Sequence, residues 1–237
     1  MAGITTENVP LRDDSATVPL AVAEPDGRPV RGGIVVLHES RRFGESVRQL
    51  LRSLADEGWL AVAPDLFHRR DDGDVGVFGS DLFDDFDASF DWLLSRGVTG
   101  DRVGVLGFDD AGTAAVTVAV ERPVGAAVSV AARGVLTPLA PGAPALVEAV
   151  ATLAAPWLAL YGDDDDETTP EHVERLREAA AHAPVAALVV SYRSLAHRRS
   201  EPSLFSDGVD GFSDGADEED VLDARDRVFE WFDGNLR

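Results

Sequence analysis

Six short apolar runs, at 33–37, 59–63, 103–106, 126–131, 156–161 and 186–192, constrain this chain more than anything else in it. Each consists mostly of Val, Ile, Leu, Ala or aromatic residues, with no charge, and Gly, Pro or charge stands at one end or both. A strand covered on both faces needs such a run, whereas a half-exposed strand would alternate. Between them the period changes to that of helices. Val47, Leu50, Leu51 and Leu54 mark one helical face, and Leu82, Phe83, Phe86, Phe90, Leu93 and Leu94 another. Further helices are expected over 113–120, around 145–153, over 170–181 with Pro170 in the first turn, and at the end, where Val221, Leu222, Val228, Phe229 and Phe232 share a face. Strands alternating with helices predict a mostly parallel central sheet with helices on both faces. The chain before it reads differently. Residues 1–16 are polar and expected to be a flexible lead, with one domain over 17–237. Residues 17–23 and the stretch from Val30 are expected to pair as a hairpin through the turn Pro25-Asp26-Gly27. No composition shift marks a second domain, and no internal repeat is present.

In open sheets of this kind, ligands sit beyond the carboxyl ends of the strands. The loops at 38–44, 65–70, 109–112, 162–169 and 193–199 leave such ends and are expected to converge. One of them has a recognisable build. Val103, Val105 and Leu106 form a strand, Gly107 and Gly112 bracket a sharp turn, and an apolar helix follows. Strand, tight turn and helix with small residues at these offsets is the layout of a nucleophile elbow, whose central side chain stands proud of the sheet. The central residue here is Asp109, where Ser or Cys would be usual.

Two other loops carry matching chemistry. The acidic run Asp163-Asp164-Asp165-Asp166-Glu167 follows one strand, and His197 follows the last. Nucleophile, acid and histidine then come in the chain order used by one large group of hydrolytic enzymes. An imidazole moves protons at neutral pH, and a buried carboxylate fixes its tautomer and stabilises its charged form. Asp165 is the choice for the orienting acid, with Asp166 next. The competing reading of any one of these aspartates is a solvated surface carboxylate, and of His197 a loop histidine beside Arg198 and Arg199. His38, His68, His172 and His182 are weaker catalytic candidates.

Composition narrows the function classes. Against 43 acidic residues stand 21 basic ones, all of them Arg, for a net charge of −22. Nucleic acid is not expected as a partner of so anionic a chain. An acidic, Lys-free surface suits a salty cytoplasm, where screening weakens self-repulsion, so salt adaptation is expected. There is no Cys, hence no disulfide and no thiol nucleophile. No His spacing suggests a metal site, and no cofactor or metal is expected. The N-terminus lacks the basic region and apolar core of a secretory signal, and no apolar stretch reaches the length of a membrane span. A cytoplasmic monomer or homodimer without membrane contact, acting on a small molecule, is the expectation.

Taken together, 34–39 with Phe43-Gly44, 63–69, 107–112, 160–162 with its acidic run and Pro170, and 192–197 resemble the dienelactone hydrolase family in order and spacing, over nearly the whole chain. The resemblance implies an α/β-hydrolase fold without a large cap domain, acting on small carboxylate-bearing esters or lactones. Position by position it makes Asp109 the nucleophile, Asp165 or Asp166 the acid and His197 the base. Glu39 matches a family glutamate beside the nucleophile, and Arg69 an arginine that grips a substrate carboxylate. The backbone N–H groups of Asp110 and of the loop at His38 would form the oxyanion hole.

Asp109 departs from the family pattern, and it opens alternatives. Carboxylate attack on an acyl carbon gives a mixed anhydride, a poor intermediate for ester hydrolysis. Attack on an alkyl carbon gives an ester that water can cleave, the chemistry of haloalkane dehalogenases and epoxide hydrolases, but residues 131–156 leave no room for their helical cap. A catalytically inactive member that keeps the fold as a binding protein is the other alternative.

Overall fold

The computed structural model describes residues 3–40, 42–69, 76–141, 143–193, 195 and 215–237. Its elements, in chain order, are β1 (Ile4–Pro10), β2 (Thr17–Ala23), β3 (Gly32–Leu37), α1 (Glu45–Asp56), β4 (Trp59–Pro64), α2 (Ser80–Ser95), β5 (Val103–Phe108), α3 (Asp109–Glu121), β6 (Ala126–Val130), α4 (Leu146–Ala149), β7 (Trp157–Gly162), α5 (Pro170–Ala180), β8 (Ala187–Tyr192) and α6 (Gly215–Asn235). The described strands form one eight-stranded sheet in the order β1-β2-β4-β3-β5-β6-β7-β8. From β4 to β8 every neighbour is parallel, while β2 runs antiparallel to both β1 and β4.

Burial explains why these residues became strands. β3, β4, β6 and β7 are buried at every position, because helices cover both faces. On one face lie Val47, Leu50, Leu51 and Leu54 of α1 with Val221, Ala224, Val228 and Phe232 of α6. On the other lie Leu82, Phe86, Phe90 and Leu93 of α2, the alanines and valines of α3, and Leu146, Val173 and Leu176 of α4 and α5. This is the α/β-hydrolase architecture expected. Among the described residues between β6 and β7, the helical pieces are α4 and one 3-10 turn at Val150–Thr152, so there is no large cap domain. No described helix is long and apolar enough to cross a membrane.

Two expectations at the start of the chain are corrected. Residues 4–10 are a strand, not a frayed lead: β1 pairs with β2 in register from Ile4↔Ala23 to Pro10↔Thr17. The expected hairpin between β2 and β3 does not form, because β4 lies between them and takes β2's inner edge. Val18, Leu20 and Val22 are buried in the core, which β2 reaches by pairing with β4. The polar composition of residues 4–8 reflects an edge strand whose side chains stay wet: Thr5, Thr6 and Asn8 are exposed, and Ile4 and Glu7 are half-buried.

Candidate active site

The bend between β5 and α3 is as sharp as the glycines imply. A Cβ on Gly107 would lie 2.0 Å from the backbone oxygen of Ala111, so nothing larger than Gly lets α3 start there. Asp109, the first residue of α3, has φ of 51°, in the left-handed region that non-glycine residues rarely enter. It is only 6% exposed. Strain of this kind persists only where the surrounding structure enforces it, and the flanking strand and helix do so here. Strand, sharp turn and helix follow one another here, with the Asp109 carboxylate at the turn. Asp109 and Asp110 are the first two residues of α3, at the positive end of its dipole.

Other carboxylates surround it. Glu39, in the loop after β3, has its carboxyl pushed up to about 7. Partial desolvation is the main cause, and the charges of Asp110 and Asp109 add to it, while Arg133 and a hydrogen bond from the Asp110 backbone N–H oppose it. That N–H is one of the two groups expected to serve an oxyanion, so Glu39 occupies the place an oxyanion would compete for. The other group belongs to His38, whose ring is buried and edge-on to Phe43 at 5.9 Å between centroids. Burial lowers the His38 imidazole to about 4, which keeps it neutral.

The four consecutive aspartates are not equivalent. Asp163 and Asp166 are exposed and Asp164 is half-buried, whereas Asp165 is buried. Its Oδ1 accepts the backbone N–H groups of Glu167 at 2.7 Å and Thr168 at 2.9 Å. A carboxylate fixed by two main-chain donors is built into its loop, as an orienting acid needs to be. His197, with Arg198 and Arg199, lies outside the described residues, as do 70–75 and 201–214.

Arg69 is engaged elsewhere. Its Nη2 donates to Asp85 Oδ1 at 2.8 Å and to the Asp81 carbonyl at 3.3 Å, both on α2. Asp85 is almost fully buried, and the neighbouring His68 contacts it at 3.8 Å, so the Arg69 guanidinium neutralises a buried charge on that helix. The cation beside the elbow is Arg133, in the turn after β6. Its Nη2 is 3.9 Å from Asp109 Oδ1, its Nη1 3.5 Å from Asp110 Oδ1, and its Nε 3.0 Å from Glu167 Oε2. Sequence reasoning missed Arg133 and Glu167. The signal was available for the first of them: the turn after the 126–131 run also leaves the carboxyl end of a strand.

The arrangement offers a buried carboxylate at a strained apex, a second carboxyl that exchanges its proton near neutrality, a fixed acid and one cation. Among the described residues no group of His, Asp and Glu is placed to hold a metal ion. Such a site can move protons and stabilise charge around a small polar substrate.

Comparison with known proteins agrees with the architecture. The family model for dienelactone hydrolases matches residues 18–236. A Salmonella typhimurium protein bearing the name carboxymethylenebutenolidase is 29% identical over 254 aligned positions, covering 98% of this chain and 86% of its own. A Yersinia pestis protein of the same name is 28% identical over 209, covering 80% and 76%. Among solved structures, a dienelactone hydrolase from Klebsiella pneumoniae superposes with a TM-score of 0.79 at 24% identity, covering 98% of this chain and 99% of that one. One from Anabaena variabilis gives 0.68 at 20% identity, covering 100% and 99%. These two structures bear on the fold, and the family model with its near-complete match bears on descent. With the sheet in place and the family model matching nearly the whole length, the chain belongs to the dienelactone hydrolase family.

Proposed function

We propose that this protein hydrolyses small esters or lactones, those carrying a carboxylate among them, and that Asp109 takes part from the apex of the elbow. The observation that carries the reading is the backbone of Asp109, held at φ of 51° with its carboxylate buried where the fold presents a reacting group. Backbone strain of this kind clusters at functional sites. The burial and main-chain hydrogen bonds of Asp165 support its role as the acid that orients His197. The names of the relatives point to a carboxylate-bearing lactone, and Arg133, with 31% of its side chain exposed, is a cation that can meet one.

The chemistry that suits a carboxylate is assistance to water. Water attacks the acyl carbon while its proton passes to the Asp109 and His197 pair. The tetrahedral intermediate then expels the alkoxide, which takes that proton back from the Asp109 and His197 pair and leaves as alcohol, restoring the site. No mixed anhydride forms on this route, and general-base help of this type contributes on the order of a hundredfold to ten-thousandfold. Salt adaptation belongs to the same proposal, supported by the net charge of −22 and the exclusive use of Arg.

A second reading has its own observation. Desolvation, with the charges of Asp110 and Asp109, makes Glu39 hold its proton toward neutrality, where a protonated carboxyl neither attacks nor takes a proton, as a binding protein would tolerate. One experiment separates the two. Wild type, Asp109→Ser and His197→Ala are assayed with 4-nitrophenyl acetate and a carboxylated butenolide in molar salt. Hydrolysis by wild type, reduced at least about a hundredfold in His197→Ala, is expected. Activity that appears only in Asp109→Ser would instead favour the binding protein. An alkyl ester trapped on Asp109 by an epoxide or haloacid would assign the carbon-centred chemistry.

A further inference from the structure

Arg133 stands where acidic side chains from three other loops meet, and the backbone around it is built to deliver it there. Ala131, two residues earlier, has φ of 51°, a second left-handed non-glycine residue at a strand end on this rim. Ala132 is fully buried against α3, where a Cβ on Gly112 would lie 3.2 Å from the Ala132 Cβ. The Thr113 hydroxyl donates to the Arg133 carbonyl at 2.6 Å, and the Leu146 N–H donates to the Gly134 carbonyl at 3.0 Å. The turn is thus clamped between the first turn of α3 and the start of α4. A solvated surface arginine needs none of this. Burial works against the charge of the guanidinium, yet Asp109, Asp110, Glu167 and Glu39 together outweigh it and hold its proton more firmly than usual.

We propose that Arg133 is the positioning residue of the elbow: it keeps the Asp109 carboxylate charged and aimed into the site, and it ties the turn after β6 to the loop after β7. The proposal rests on the reading that Asp109 takes part in hydrolysis. Its physical basis is the balance of charge around Asp109. Glu39 approaches from the loop after β3, Asp110 from α3, Glu167 from the loop after β7 and Arg133 from the turn after β6. Of these four, only Arg133 is a cation. Like charges at such distances drive a carboxyl to keep its proton, and one opposite charge within about 4–6 Å reverses the preference. Sharing among several carboxylates spreads the cation's effect, so the lower end of the usual range applies.

The test reads Asp109 directly. Carboxyl carbon NMR follows its titration in wild type, Arg133→Met and Arg133→Lys at one fixed salt concentration, with Asp109→Asn identifying the resonance. The Asp109 midpoint is expected to rise by about one pH unit in Arg133→Met and to return most of the way in Arg133→Lys. Arg133→Gln is the second uncharged variant, should the methionine side chain perturb folding, and thermal melts report on folding in each. The acid limb of kcat/KM for 4-nitrophenyl acetate should move with the NMR midpoint, while a structural effect alone would lower kcat/KM at every pH equally. An Asp109 midpoint that is the same in wild type and in the folded uncharged variants overturns the proposal, whether or not esters are cleaved. A shifted midpoint in a protein that cleaves no ester supports the pairing with Arg133 and removes the hydrolytic reading instead.

Discussion

Glu39 and Asp165 are both carboxyl groups on the same rim, and their surroundings set them apart. Asp165 is satisfied by two main-chain donors. Glu39 faces Asp109 and Asp110 and is pushed up to about 7 from an ordinary value near 4.5. A group whose folded-state value is raised contributes stability that is complete below its unfolded value and is lost as pH rises through the folded one. For Glu39 that window runs from about 4.5 to about 7. Above it, the ionised side chain is a cost that Gln would not carry. Glu39→Gln should therefore match wild type in stability near pH 4.5 and exceed it by about 1 kcal/mol at pH 8, a figure already reduced because the residue is exposed and screened by solvent. Urea unfolding at the two pH values measures the difference. A gap between variant and wild type that does not widen with pH would show that Glu39 is not held in this way. At the same scale, activity should respond too: if Glu39 must vacate the Asp110 N–H before an oxyanion can use it, Glu39→Gln, a weaker acceptor, should raise kcat or lower KM mainly above pH 7, where wild-type Glu39 is ionised.

α6 shows how an element is held to this sheet, and the sheet in turn holds the site. Phe232 is fully buried, lies 6.2 Å from the Trp59 ring by centroid, and comes so close to β5 that a Cβ on Gly104 would sit 2.6 Å from its ring. Strand β5 can therefore approach α6 only because residue 104 has no side chain. Phe232→Ala empties that space and should cost about 3–5 kcal/mol, read as a lower denaturation midpoint with the sheet otherwise retained. A loss below about 1 kcal/mol would mean that α6 is held by other contacts. The elements themselves were legible because their signals are local: apolar runs for β3 to β8, spacing at 3.6 residues for α1 and α2, and Pro170 at the start of α5. What was not legible was pairing. The turn Pro25-Asp26-Gly27 suits a hairpin, but whether β2 pairs with β3 or with β4 is settled by which neighbour lets Val18, Leu20 and Val22 reach the core. The same holds for the site. Asp109 could be found because glycines bracket it, whereas Arg133 is marked only by its place after a strand and Glu167 by nothing local, and both join the elbow through tertiary approach. Arg69 resembled a substrate-gripping arginine, yet its charge meets Asp85, a buried acid on α2 whose need for a partner the helical pattern does not reveal.

Across the whole molecule, the charge is too lopsided for ion pairs to balance it. With 43 acidic residues and 21 arginines, pairing every arginine once would still leave the net −22 unpartnered. Many of the arginines are indeed paired at the surface: Arg12 with Asp87 and Asp91, Arg96 with Glu7 and Glu24, Arg227 with Asp223. Exposed pairs of this type contribute about 0–1 kcal/mol each, and salt weakens them. Repulsion among the excess carboxylates is weakened by salt as well, and it acts over longer distances, since the screening length falls from about 30 Å at 0.01 M to about 3 Å at 1 M. The two effects have opposite signs, and the count decides between them. Long-range repulsion is removed first and involves more groups, so added salt should stabilise the fold. The melting temperature is expected to rise by roughly 5–10 °C between 0.05 M and 2 M NaCl, equivalent to a few kcal/mol for a chain of this size. Sucrose at matched osmolality separates screening from solvent exclusion and should give a smaller rise. A melting temperature that stays level or falls in NaCl would show that the arginine pairs outweigh the repulsion, and with it would go the proposal that this surface is adapted to salt.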